Sequence, residues 1–389
     1  MNSMKSKLET LCVFRDFLKD PVIEGLCRYL EKPTCASYSA FTALLYEYGQ
    51  GDLSTYIKTL CSNSTNVYVR LAGMGQSIPP YMKETLLEEL SILGECAALT
   101  KETLCAFLDY EGFLPSFQSE RVDLQAFYLE RIENIGRYGY GIYATNHMFY
   151  VDEDAHIRPV LNPDGTRLSE LMDYERERKI VLDNTKALLA GKPAANVLLT
   201  GDAGTGKSST VKAVANELYP QGLRIIEIRK DQLKAIPKVL DELSGNPLKF
   251  VLFIDDLSFL KDDDNFNAIK AVLEGSVTAK AANVVIYATS NRRHIIKEKF
   301  SDREGDDIHR NDTMQELVSL SERFGIQVTF SKPNKATYLN IVHHLAEAKG
   351  VRMTDSELEL LAERFALERG GRSARLANQF IDGLLSVES

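Results

Sequence analysis

The stretch NVLLTGDAGTGKSS, residues 196–209, decides how the chain is read. A short apolar run leads straight into Gly201, Asp202, Ala203, Gly204, Thr205, Gly206, Lys207, Ser208 and Ser209, which fits the pattern G-x-x-x-x-G-K-[ST]. Each part of that pattern has a physical purpose. Glycines let the backbone wrap close around a phosphate, consecutive amides point inward, and the helix that follows offers its positive N-terminal end. Lys207 would reach the β- and γ-phosphates, and Ser208 would ligate magnesium. A strand before the loop and a helix after it are the context this chemistry needs, and the flanking residues supply both.

Further along, KFVLFIDDLSF (residues 249–259) delivers Asp255 and Asp256 at the end of an apolar strand, where open α/β sheets bind ligands. Asp255 would orient Mg²⁺ through water, and Asp256 would polarise the attacking water. Strand candidates at 196–200, 223–228, 250–255, 283–289 and 326–330 alternate with helical stretches. Continuous apolar strands of this kind are covered on both faces, so the expectation is a five-stranded parallel sheet sandwiched by helices. After Phe330 the pattern is helical (335–349, 355–368, 373–385), which predicts a C-terminal helical lid. A helix is expected over 169–189, just before the loop.

Upstream the character changes. Residues 1–133 read as helical, with apolar residues at three and four spacing in 81–93 and 124–132. Residues 136–160 alternate aromatic or aliphatic with polar residues and carry early glycines, which predicts a hairpin. The expected organisation is a helical N-terminal domain (1–135), a β-hairpin linker (136–165), a nucleotide-binding core (166–331) and a helical lid (332–389).

A length of 389 residues fits roughly two domains, and 44% hydrophobic with 26% charged residues fits a globular chain. Forty-six basic against 55 acidic residues give a net charge of −9, which disfavours nucleic-acid binding by bulk charge. The N-terminal part, with 13 basic and 18 acidic residues through Tyr150, offers no electrostatic footprint for a phosphate backbone. No apolar run approaches the ~18 residues of a spanning helix. The first 20 residues lack the apolar stretch of a signal peptide, so a cytoplasmic location is expected. Cys12, Cys27, Cys35, Cys61, Cys96 and Cys105 all precede residue 106 without a C-x-x-C pair, and buried reduced thiols are expected.

Together these motifs resemble the AAA+ branch of P-loop ATPases over residues 168–387. That resemblance implies ATP and Mg²⁺ as cofactors and assigns further roles. In NVVIYATSNRR, Asn291 matches sensor 1, which contacts the γ-phosphate or the attacking water; Thr289 and Ser290 are nearby substitutes. In SLSERFGIQVTF, Arg323 matches the arginine finger that reaches a neighbouring subunit's nucleotide, implying a homo-oligomer with sites completed in trans. In GGRSARLANQFID, Arg375 matches the sensor 2 arginine of the Gly-x-x-Arg lid motif, with Arg372 one turn earlier as a substitute. Leu171 to Tyr174 would lie against the base. The wording DDLSF, LEGS, ATSNRRHII and LSERFG is similar to one bacterial group of predicted AAA+ ATPases known only as a domain of unknown function.

The function this implies is Mg-dependent ATP hydrolysis coupled to remodelling or assembly of a macromolecular partner bound by the N-terminal domain. Two alternatives stay open. Many AAA+ motors carry Asp-Glu where this chain has Asp255-Asp256, which favours a nucleotide-gated scaffold with slow turnover. The Arg292, Arg293 and His294 cluster allows a nucleic-acid-linked loader.

Overall fold

Segments rich in Val, Ile, Leu and Phe form the strands of the chain, as β-branched and aromatic side chains suit a pleated surface packed on both sides. In the computed structural model, which describes residues 2–106, 108–257, 264–274, 282–291 and 322–387, these become β3 (Val197–Gly201), β4 (Leu223–Glu227), β5 (Lys249–Ile254) and β6 (Val284–Ser290). All four are buried along almost their whole length. β7 (Ile326–Phe330) alternates buried and exposed positions at one edge. The chain divides into two compact units, residues 1–145 with 245–247, and residues 146–244 with 248–389.

The sheet belongs to the second unit and has seven strands in the order β2-β1-β4-β5-β6-β3-β7. The expected five strands are therefore too few. β1 (Met148–Val151) pairs in parallel with β4, Met148 opposite Ile225, and β2 (Ile157–Pro159) folds back antiparallel on β1. An unpaired strand edge exposes a row of backbone donors and acceptors, and the hairpin expected as a linker covers the edge of β4 instead. The remaining neighbours are parallel.

Register positions the site. Thr200 pairs with Ser290 and Ile254 with Ala288, so the strand ends carrying Gly201, Asp255 and Asn291 finish side by side. β6 lies between β3 and β5, placing its last residues midway between the loop and the two aspartates.

Helices of the second unit are α10 (Glu175–Leu189), α11 (Lys207–Leu218), α12 (Ile236–Leu243), α13 (Asp264–Glu274), α14 (Lys335–Lys349), α15 (Asp355–Glu368) and α16 (Ala374–Val387). α14 to α16 bury their own apolar cluster around Tyr338, Val342, Ala362 and Ile381, with Met172 packed against it. The helix expected from 169 is interrupted. A short 3₁₀ turn, Leu168–Glu170, is followed by Asp173 and Tyr174 at φ +55° and +60°, and α10 begins only at Glu175.

The first unit is helical: α1 (Asn2–Glu9), α2 (Pro21–Glu31), α3 (Cys35–Gly49), α4 (Leu53–Asn63), α5 (Val67–Gly73), α6 (Pro80–Ala97), α7 (Lys101–Cys105), α8 (Leu124–Glu133) and α9 (Ile135–Tyr138). Its core gathers Leu26, Tyr29, Phe41, Ile57, Leu90 and Leu93, all fully buried. Buried Glu89 of α6 accepts hydrogen bonds from the backbone N–H groups of Cys12, Val13 and Phe14 at 2.7, 3.0 and 2.9 Å. A carboxylate in the core is tolerable there because both oxygens are satisfied. All six cysteines are free, but only Cys61 and Cys96 are buried; Cys12 is exposed, against expectation. Cys12 lies just past the end of α1, where its side chain faces outward while its N–H is used by Glu89. No helix among the described residues is long and apolar enough to cross a membrane.

Candidate functional site

The loop between β3 and α11 is shaped by its glycines. Gly201 takes φ +140°, and a Cβ there would lie 2.0 Å from the carbonyl oxygen of Phe330. Gly204 takes φ +78° and leaves room for Ser373 Oγ, which a Cβ would approach to 3.1 Å. Only glycine meets both demands without strain.

Lys207 opens α11 and is almost wholly buried. Its Nζ donates to Gly201 O at 2.9 Å, Asp202 O at 2.7 Å and Asn291 Oδ1 at 3.0 Å. Burial, the larger effect, holds its pKa below that of a solvated lysine, while Asp202, Asp255 and Asp256 pull it upward. Ser208 Oγ donates to Asp255 Oδ1 at 2.7 Å, and Thr289 Oγ1 donates to the same oxygen at 2.5 Å. Asn291 Nδ2 donates to Asp256 Oδ1 at 2.8 Å, so one amide joins the lysine on one side to the second aspartate on the other. Asp256 sits at φ +52°, where a non-glycine residue is strained by about 1–2 kcal/mol, and its N–H is held by Thr289 Oγ1 at 3.0 Å.

These groups line one cavity of about 570 Å³ that also includes Ala203, Gly204, Gly206, Ser209, Leu171, Ala374, Arg375 and Asn378. Of the residues expected from the sequence, Ala203, Gly204, Gly206, Lys207, Ser208, Ser209, Asp255, Asp256, Asn291 and Arg375 line this cavity, whereas Gly201, Asp202 and Thr205 do not. Hard oxygen donors, the Ser208 hydroxyl and the Asp255 carboxylate, suit Mg²⁺. The glycine-shaped loop, the buried ammonium and the N-terminus of α11 suit a triphosphate.

The two arginines at the start of α16 part company. Arg372 forms a two-pronged pair with Glu363, 2.8 and 2.6 Å, whereas Arg375 lines the cavity. Arg323 does not line it; its Nη2 lies 2.5 Å from Glu274 at the end of α13. Arg292, Arg293 and His294 lie outside the described residues.

A second, narrower cavity of about 70 Å³ shares Leu171, Gly206, Ala374 and Asn378 with the first and is walled by Met172, Asp173, Tyr174, Arg178, Phe330, Ile341 and Leu345. Leu171 to Tyr174 are therefore at a cavity wall, beside the loop between β3 and α11. Sequence reasoning missed the bond of Thr289 to Asp255, although a hydroxyl at the penultimate residue of the strand beside Asp255 was a signal for it. It also missed Asn378, which lines both cavities and whose place one turn after Arg375 on α16 was the only clue.

A search of curated proteins finds no match to this chain. Among solved structures, the Thermotoga maritima RuvB Holliday junction branch migration motor is 18% identical, covering 58% of this chain and 67% of its own, with a TM-score of 0.38. Two single-substitution variants of that motor give 17% and 19% identity, each with a TM-score of 0.39 and 58% of this chain covered; 67% and 68% of their own chains are covered. Residues 144–387 match the family model described as "Protein of unknown function (DUF815)", and this chain belongs to that family, as the resemblance to a group of unknown function within the AAA+ P-loop ATPases led one to expect.

Proposed function

We propose that this chain is an Mg²⁺-dependent ATPase of the AAA+ type, whose ATP binding and hydrolysis drive assembly or remodelling of a macromolecular partner engaged by the helical N-terminal unit. The observation that supports it most directly is the 2.7 Å contact of Ser208 Oγ with Asp255 Oδ1 in the same cavity as Lys207, Asp256 and Asn291. These are groups for a metal, a phosphate chain and a water, converging from three strand ends.

Magnesium, when bound, would neutralise charge on the β- and γ-phosphates. The protein's own groups do the rest. Lys207 exchanges its contacts with Gly201 O and Asp202 O for phosphate oxygens. Asp256, in reach of Asn291, accepts the proton of an attacking water, and Asn291 fixes that water's position. Arg375 adds positive charge from the lid, and Arg323 of a neighbouring copy supplies it in trans to a homo-oligomer. Full-length protein should hydrolyse ATP only with Mg²⁺. Lys207→Ala should lose ATP binding, while Asp256→Asn should bind ATP and turn over about 10²–10⁴-fold more slowly. Wild-type turnover in either variant would sink the proposal.

A slow, switch-like variant of this function is favoured by Asp256 itself, one methylene shorter than glutamate and already tied at Oδ1 by Asn291. Single-turnover kinetics with ADP release much slower than hydrolysis would identify it.

A further inference from the structure

One residue grips three consecutive positions of the chain as it leaves β5. Thr289, the penultimate residue of β6, is 2% exposed and lies at the wall of the larger cavity. Its hydroxyl donates to Asp255 Oδ1 at 2.5 Å and accepts the backbone N–H of Asp256 at 3.0 Å. Its backbone carbonyl accepts the N–H of Leu257 at 2.7 Å. Asp255, Asp256 and Leu257 are thus each held by the same residue of the neighbouring strand.

That grip accounts for the conformation of Asp256. A non-glycine residue at φ +52° persists only where its surroundings impose it. The N–H groups on both sides of the Asp256 α-carbon, its own and that of Leu257, are fixed by Thr289, so the strained turn is set between two anchored points.

The same hydroxyl decides which oxygen of Asp255 is available. Oδ1 accepts from Thr289, from Ser208 Oγ at 2.7 Å and from the Asp256 N–H at 3.1 Å. Three donors fill that oxygen, and no hydrogen bond among the described residues reaches Oδ2. Oδ2 is therefore the oxygen left for a cation or for water on a cation. A hydroxyl has one proton, so while Thr289 holds Asp255 it has none to offer a phosphate or a water. Its action runs through the two aspartates.

We propose that Thr289 is a positioning residue for both carboxylates: its hydroxyl orients Asp255 so that Oδ2 meets the shell of the metal, and holds Asp256 in the strained backbone conformation that carries its carboxylate to the attacking water. This rests on the ATPase reading proposed above and adds what fixes its two acids. The position needs one donor and one acceptor on a short side chain. Serine supplies both; valine, close to threonine in shape, supplies neither.

Turnover and metal binding of full-length Thr289→Val and Thr289→Ser test the assignment. Valine suits a buried strand position, so the fold should survive. At saturating Mg²⁺, Thr289→Val should lose about 10–100-fold in kcat, the scale on which a partner behind a metal ligand acts. Its KM for ATP should stay near that of wild type, because Lys207 and the loop are untouched. Mn²⁺ titrated into the ADP-loaded protein, followed by the EPR signal of the free ion, should bind at least about tenfold more weakly to Thr289→Val. Thr289→Ser should restore both quantities to nearly wild type. A purely structural threonine would lower the melting midpoint on substitution and move neither. Thr289→Val with wild-type kcat or wild-type Mn²⁺ affinity, or Thr289→Ser as defective as Thr289→Val, would overturn the assignment. Thr289→Ala is read in the same way should the valine variant not fold; if neither folds, the residue supports the strand and the assignment fails. Wild type that neither hydrolyses ATP nor binds Mn²⁺ with ADP would instead remove the ATPase reading itself.

Discussion

Two arginines three residues apart, Arg372 and Arg375, show how one side-chain partner separates structure from chemistry. Either could fill the nucleotide-contacting role proposed for Arg375, since both lie near the start of the last helix. Arg372 is consumed by a bidentate pair with Glu363, whose Oε2 also lies 3.7 Å from Lys335 Nζ in a second ion pair. Arg375 donates its backbone N–H to Gly204 O at an N···O distance of 3.4 Å, on the loop between β3 and α11. Arg375→Ala should therefore weaken ATP hydrolysis by roughly 10–10³-fold with an unchanged melting midpoint, as loss of one donor to a developing charge does. Arg372→Ala should lower the midpoint and leave the affinity for ATP within about twofold, because the substitution removes only a structural ion pair. Nucleotide titration and thermal unfolding of the two variants check both. Swapped phenotypes would assign the lid contact to Arg372. The sequence held the ambiguity because spacing alone places both side chains on one turn, and only the position of Glu363, nine residues upstream, resolves it.

At the scale of elements, the parallel strands were legible because their apolar runs are unbroken, and the loop between β3 and α11 because its chemistry tolerates few residues. The hairpin was legible as a hairpin but not as part of the sheet. Alternation along 148–159 shows that one face is buried, yet nothing local says against what; β4, about 75 residues later, provides the edge. The break at Asp173 and Tyr174 was invisible for a different reason. Neither residue is glycine, so the left-handed turn carries no compositional mark. One consequence of the hairpin's docking concerns pH. His147, just before β1, donates or accepts through Nε2 with Asn216 Oδ1 at 2.9 Å, and its ring lies 4.8 Å from that of Tyr219. Burial, with Arg224 nearby, lowers its pKa below 6.5, against the opposing effect of Asn216. A histidine kept neutral in the folded state contributes stability that is complete above the unfolded value of 6.5. That contribution is lost as pH falls through the lower folded value. Urea midpoints should thus be flat from pH 8 to 7 and decline below 6.5, by no more than about 1.4 kcal/mol per pH unit for the one proton. His147→Gln, which preserves a donor toward Asn216, should flatten that decline; an identical pH profile would show that other groups produce it.

For the whole molecule, what could be read from the sequence divides along the same line as the fold. The second unit announces itself because the chemistry proposed for it, on a phosphate, a metal and a water, would require particular atoms at particular strand ends. The first unit reveals only its helices, since a core of Leu, Tyr and Phe constrains packing but not partners, and even its most unusual residue, Glu89, serves the unit's own backbone. Arg323 belongs to this larger scale. Within one chain it pairs with Glu274 and does not line the cavity, so the catalytic part proposed for it would be played in a second copy. A trans-acting guanidinium makes a quantitative prediction. Lys207→Ala lacks a competent loop but keeps a donor arginine; Arg323→Ala has the reverse defect. Each alone should lose at least about 10²-fold in turnover, on the scale expected for an arginine finger. Mixed in equal amounts in a closed homo-oligomer, about one interface in four joins an intact loop to an intact Arg323, and that fraction of wild-type turnover should return. Activity that stays at the level of the separate variants after mixing, or an Arg323→Ala protein as active as wild type, would leave Arg323 with no part in trans and confine catalysis to the single chain.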